Sequence, residues 1–377
     1  MSKIKTATVT WISYKNFGTY LQAYALQQIL LKLGFENDII SDKKIVKRHE
    51  KETSGKNSFS FFLAEITRPL RKFFQASYEQ KRIIQSCYKD FAHRYLKINY
   101  EWKKFRDLDN KYDVYINGSD QIWSPLVPFD PFYFLGFTSK SKIAYAPSLG
   151  VSIYPKEMVA KIKPLLEDFS ALSVRENQGH EILKDVFGLD CQTVVDPTLL
   201  LNKDEWNSFA VKKKFEEHYV LCYLLSYNEI YLKFISSFAK CKKLPLKIFI
   251  TEISDTRLLN FADQPLYVGP GEFINYIYNS DYFFTDSFHG CVFAIHFEKT
   301  FFALKRFSDK DKKNQNSRID NLFHKLGIND RFFSEHELND IYHCSSLDYG
   351  AIKRLLTKER EMSLDYLKES LKQVCDD

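Results

Sequence analysis

At 377 residues the chain exceeds one ordinary hydrophobic core and suits two domains. Apolar residues at 45% and charged residues at 27% are globular proportions and exclude a disordered chain. A formal net charge of +6 favours anionic partners but is too mild and dispersed for a nucleic-acid binder.

Seven cysteines with no CxxC pair form neither a disulfide framework nor a zinc site, so reduced thiols and no metal are expected. The N-terminus enters a strand pattern, TATVTWI, without the apolar core of a signal peptide, and no run is long enough to span a bilayer. A cytoplasmic protein is expected.

The first strand ends in SYKNFG and is followed by the helix pattern TYLQAYALQQILLKLG, with Leu21, Ala25 and Ile29 on one face and Gly34 as a stop. Glycine at such a turn lets a backbone N–H approach a ligand closely. Asn16, Gly18, Thr19 and Gln22 can therefore hydrogen-bond a small polar ligand such as a sugar, or simply cap the helix. The spacing is not GxGxxG, so a dinucleotide site is unsupported.

After the strand FENDIIS, residues 54–106 interrupt the pattern. Phe clusters alternate with Arg68, Arg71, Lys72, Lys81 and Arg82, which reads as a basic aromatic helical insertion. Such a surface lies on the inner membrane face, as a peripheral contact, or is an ordinary solvated insertion packed on the sheet.

The strand YDVYI runs into NGSDQIW. Asp120 is a candidate base toward a hydroxyl, with Asn117, Ser119 and Gln121 orienting it and Trp123 stacking on a sugar face; a capping network around Asp120 is the alternative. SKIAYA ends in PSLG, and SALSV ends in REN. There the planar fork of Arg175 suits a carboxylate or phosphate, or pairs with Glu176. CQTVV ends in DPT, where Asp196 before Pro197 reads mainly as structural.

After about residue 205 the pattern restarts with HYVLCYLL, PLKIFIT and DYFFT. The last strand leads into Asp286, Ser287 and His289, at a helix start where unpaired backbone N–H groups hold anions. His289 is the candidate to donate to a phosphate or to carry a proton, with a packed side chain as the alternative, whereas His296 reads as packing. KTFFAL follows, then Lys305, Arg306 and Arg318 as cations able to close on an anion, and one or two C-terminal helices. The fold class expected is α/β: two Rossmann-like domains facing a cleft, over 1–205 and 206–350, with a C-terminal helix over 351–377. Ligands of such sheets bind beyond the carboxyl ends of the strands, where all these polar clusters fall.

Taken in order, NFGTYLQAYALQ, YDVYINGSDQIW, YFLGF with KIAYAPSLG, LSVREN, VVDPTLLL, DSFHG and SRIDNL resemble the polysaccharide pyruvyl transferase family. The resemblance covers residues 16 to 322 and implies a fold similar to the two-domain GT-B glycosyltransferases. It also implies phosphoenolpyruvate as co-substrate, no other cofactor, and a pyruvate ketal formed across two hydroxyls of a sugar in a bacterial capsule or exopolysaccharide or its lipid-linked precursor. His289 and Arg175 would face the donor, and Asp120 with the N-terminal loop the acceptor. Some members carry arginine two residues before the motif histidine, where this chain has Ser287. Donor charge then falls to Arg175, Lys305, Arg306 or Arg318, or the donor differs, which leaves a glycosyltransferase with a nucleotide-sugar donor as the second reading.

Overall fold

Two parallel sheets carry the fold, in a computed structural model that describes residues 4–54, 78–210, 216–252, 254–308 and 315–376. The first consists of β1 (Lys5–Val9), β2 (Glu36–Ile40), β3 (Ile98–Asn99), β4 (Val114–Asn117) and β5 (Ser141–Ala144), in the order β3-β2-β1-β4-β5. A short parallel pair, β6 (Ser173–Val174) and β7 (Gln192–Thr193), is tied to β5 by the bridge between Ile143 and Ala171. The second sheet runs β10-β9-β8-β11-β12-β13. Its members are β8 (Val220–Tyr223), β9 (Leu246–Phe249), β10 (Gln264–Leu266), β11 (Tyr282–Thr285), β12 (Thr300–Leu304) and β13 (Phe332–Phe333). Covered on both faces, central strands such as YFFT and TFFAL are apolar runs rather than alternating ones.

Each anticipated strand is present but shorter; in TATVTWI, SKIAYA, HYVLCYLL and PLKIFIT the last residues leave the ladder toward the polar loops, whereas DYFFT and KTFFAL lose their first residue. The edge strands β3, β10 and β13 have two or three residues each, too few to leave a periodic signal.

The halves share a core. Helix α1 (Phe17–Lys32) is buried on nearly every side, since it packs against the second half as well as its own sheet. Phe17 stacks on Phe273 with ring centroids 4.4 Å apart, and Trp206, fully buried, meets both Tyr24 and Phe293. The basic segment α2 (Lys43–Ser54) follows β2. Helix α3 (Tyr78–Tyr95) turns Ile84, Tyr88, Phe91 and Ala92 inward, with Tyr88 edge-on to Tyr20 at 4.9 Å.

Of the cations expected in the insertion, Arg68, Arg71 and Lys72 lie outside the described residues. Lys81 and Arg82 sit on α3, with Arg82 exposed. Among the described residues, no helix is long and apolar enough to cross a membrane.

Four further helices frame the site: α4 (Pro197–Leu200), α5 (Pro270–Asn279), α6 (Phe288–His296) and α7 (Ser317–Leu326). The C-terminal segment is a single helix, α8 (Tyr349–Asp376), that returns to the first half. Ser363 Oγ accepts from the Val195 N–H at 3.0 Å and Tyr366 donates to the Ala144 carbonyl at 2.9 Å, which fixes the chain just before Asp196.

Candidate active site

The polar loops at the carboxyl ends of β1, β4, β6, β7 and β11 converge on one carboxylate, Asp196. Its two oxygens do different work. Oδ1 accepts from the Thr198 N–H at 3.0 Å and hydroxyl at 2.6 Å, capping α4. Oδ2 accepts from Arg175 Nη1 at 2.7 Å and Ser119 Oγ at 3.0 Å, and His289 Nε2 faces it at 3.6 Å. Arg175 also donates to Glu176 at 3.0 Å, and its guanidinium lies 4.6 Å over the Phe288 ring. Two buried donors remain without a hydrogen-bond partner there: Arg175 Nη2 and His289 Nε2.

The His289 ring reaches this position by passing over the first turn of α1. A β-carbon added to Gly18 would lie 1.8 Å from His289 Nδ1, so α1 and α6 meet this closely only because residue 18 has no side chain. Next to it, Thr19 donates to Asp120 Oδ2 at 2.5 Å, while Asp120 Oδ1 accepts from the Gln121 N–H at 2.9 Å. Asp120 itself has φ +75°, a left-handed conformation that costs a non-glycine residue free energy. The Gln121 amide donates to Gln315 Oε1 at 2.9 Å, and the same oxygen accepts from Arg318 at 3.0 Å, so a chain of hydrogen bonds crosses from the first half to α7.

The charges are unevenly matched. Burial alone would raise the Asp196 carboxyl, but His289, Arg175 and the Thr198 hydrogen bonds outweigh it and hold it well below the usual carboxylate range. Burial also works against the charge of Arg175, but Glu176, Asp196 and Asp120 more than offset it and bind its proton more firmly. Arg318 shows the reverse. Burial and the facing Arg175 push it down to about 10. Arg175, Glu176, Asp196, Phe288, Arg318 and Lys325 line one small cavity; Arg175 is matched by the two carboxylates and Lys325 by Glu359, which leaves Arg318 as the cation there without an ion pair among the described residues.

The family model for polysaccharide pyruvyl transferase matches residues 16–306, a span that holds most of this cluster. The chain belongs to that family. Membership makes it a transferase of polysaccharide biosynthesis, with a polysaccharide on the acceptor side. No curated protein matches the chain by sequence.

In structure the chain is similar to an alpha-glucosyltransferase in complex with UDP and a 13-mer DNA, at 11% identity, TM-score 0.50, over 99% of this chain and 100% of that one. It is also similar to the UDP-GlcNAc 2-epimerase of Methanocaldococcus jannaschii, at 12% identity, TM-score 0.47, over 98% and 99% of the two chains. A glycosyltransferase from Rickettsia africae ESF-5 gives 12% identity and TM-score 0.47 over 100% and 99%. At such identities a likeness bears on fold alone; that to the glucosyltransferase, at TM-score 0.50, supports a fold of the GT-B type.

Of the residues singled out in the sequence of this pyruvyl transferase family member, Thr19, Asp120, Gln121, Arg175, His289 and Arg318 come together, with Gly18 making room. Ser119 joins them by serving Asp196 rather than by orienting a substrate hydroxyl. Others are corrected. Asn16 caps α1 by accepting from the Gly18 N–H, and Ser287 caps α6 by accepting from the Gly290 N–H, so each serves a helix end. Asn117 and Gln22 are wholly buried, their amides donating to the Val9 carbonyl and to Thr10. Trp123 stacks on Phe134 in the core and offers no face to a sugar. The Lys305 ammonium lies over the Phe332 ring, 5.8 Å from its centroid. Glu176 pairs with Arg175, as the alternative reading of REN had it, while Phe288 and Gln315 had no signal of their own in the sequence.

Asp286 is held apart, accepting from the Leu225 N–H at 2.7 Å. Burial raises its carboxyl to about 6, against the hydrogen bonds and Arg306. Because the folded state holds this proton more tightly, the unfolded state ionises first and wild-type stability falls as pH rises from about 4 to 6. Asp286→Asn does not titrate there. Urea unfolding at pH 4 and pH 7 should show the variant gaining about 1–3 kcal/mol on the wild type between the two.

Proposed function

We propose that the chain transfers the pyruvyl group of phosphoenolpyruvate to two hydroxyls of a sugar in a bacterial surface polysaccharide or its lipid-linked precursor, forming a ketal and releasing phosphate. The observation that carries this reading is that two guanidiniums, Arg175 and Arg318, line one small cavity whose Asp196 faces His289 Nε2 at 3.6 Å. Arg175 Nη2 and Arg318 hold the donor's carboxylate and phosphate, charge that Ser287 does not supply. Asp196, 3.6 Å from Nε2, keeps the imidazole oriented.

His289 gives its proton to the methylene carbon, and the neighbouring carbon becomes an oxocarbenium ion. A sugar oxygen bonds to that carbon while its proton passes to Asp120. The bond from carbon to phosphate oxygen then breaks, with phosphate taking the electron pair. The second hydroxyl adds to the same carbon, returning a proton to His289, and the proton on Asp120 leaves with phosphate. Two hydroxyl protons are lost, one replacing that given to the methyl group and one departing with phosphate. Holding both hydroxyls against one carbon supplies much of the acceleration.

The test supplies phosphoenolpyruvate labelled in its pyruvyl carbons together with lipid-linked and nucleotide-linked sugars. Label appearing in the sugar, with one phosphate released per label, is the expected result. Sugar transfer from a nucleotide sugar without label incorporation would replace this reading with that of a glycosyltransferase.

A further inference from the structure

A second cavity, of about 1070 Å³, lies between α2, α3 and the carboxyl ends of β1 and β2, and the donor chemistry above does not use it. Six lysines line it, Lys15, Lys43, Lys44, Lys47, Lys89 and Lys97, against one acid, Glu50. Lys15 is paired with Glu252 at 3.3 Å and Lys97 with Asp38 at 2.9 Å, while Lys44 donates to the Trp102 carbonyl. Lys43, Lys47 and Lys89 are exposed and have no ion pair among the described residues. Such an excess of ammonium groups around a concave wall attracts an anion.

The wall is aromatic as well as cationic. Tyr88 lines the cavity with its ring 1% exposed, and its buried hydroxyl has no hydrogen-bond partner. A buried hydroxyl left unpaired costs free energy that a polar ligand group would recover. Tyr100, also on the wall, is 58% exposed and offers its face to a ring. The cavity is large enough for a sugar with its phosphates.

We propose that this cavity binds the diphosphate of a diphosphate-linked sugar, with Lys43, Lys47 and Lys89 meeting the phosphates and the tyrosines lying against the sugar. That this ligand is the acceptor rests on the reading in the preceding subsection; that the cavity takes a diphosphate does not. Lysine acts here as a mobile point charge on phosphate, unlike the fixed fork of Arg175. A polyprenyl diphosphate sugar and a nucleoside diphosphate sugar present the same group.

The test is calorimetry of inorganic pyrophosphate with the full chain, with the double variant Lys47→Ala/Lys89→Ala, and with Arg318→Ala. The double variant should bind roughly tenfold more weakly or worse, from two lost charge-assisted hydrogen bonds at the weak end of their range, and Arg318→Ala should bind as the wild type does. Unchanged binding in the double variant, or binding lost in Arg318→Ala, overturns the proposal. Displacement of pyrophosphate by a polyprenyl diphosphate sugar in detergent or by a nucleoside diphosphate sugar supports it and names the source; displacement by neither overturns it. Lysine-dependent pyrophosphate binding in a protein that ignores phosphoenolpyruvate would sink the donor reading and leave this cavity standing.

Discussion

Asp196→Asn is expected to destabilise the protein by about 3–5 kcal/mol and to cut transfer by roughly a hundredfold or more. The carboxylate is fully buried, and every polar neighbour of it is a donor: Thr198 on one oxygen, Arg175 and Ser119 on the other. An amide has one acceptor oxygen and one donor nitrogen, so whichever way it turns, its NH₂ meets donors. Arg175 keeps Glu176 but loses its partner at 2.7 Å, and His289 loses the charge it faces. Urea unfolding gives the first number, and turnover at a temperature where the variant remains folded gives the second. A variant within about 1 kcal/mol of wild type would show that Asp196 is not the hub described here.

Gly18→Ala separates helix stability from site geometry. In a helix interior alanine is favoured over glycine by up to about 1 kcal/mol, so propensity alone predicts a slightly more stable protein. The added carbon would lie 1.8 Å from His289 Nδ1 and 2.2 Å from Cγ, atoms of a ring that is itself buried, so the imidazole must swing away from Asp196. Misplacing a catalytic group by about 1 Å costs on the order of a hundredfold. The expected outcome is a folded protein whose turnover falls by about that factor or more. Wild-type turnover in Gly18→Ala would mean that the ring tolerates displacement and does no chemistry.

Both predictions turn on contacts only partly legible in the sequence. The strand-loop-helix order and the polar loops at strand ends were readable, because buried parallel strands leave apolar runs and their loops must be polar. Arg175 and His289 stood out for the same local reason. Asp196 did not, because an Asp-Pro after a strand reads mainly as structural; Oδ1 does cap α4, but the work of Oδ2 depends on Ser119, Arg175 and His289, brought there by other loops. Gly18 was read as leaving space for a ligand, when the space is filled by His289 from the other half. Asn117, Gln22 and Trp123 misled in the opposite direction. Polar or aromatic residues beside a site loop look available, but the local sequence carries no sign of whether they turn toward the cleft or into the core.

The most direct test of the central claim is calorimetry of phosphoenolpyruvate with the wild type, Arg318→Ala and Arg175→Lys. The account predicts binding to the wild type, loss of at least about tenfold in affinity in Arg318→Ala, and a comparable loss in Arg175→Lys, whose ammonium cannot reproduce the fork. Affinity unchanged in both variants, or no binding to the wild type at millimolar phosphoenolpyruvate with or without an acceptor sugar, would contradict it.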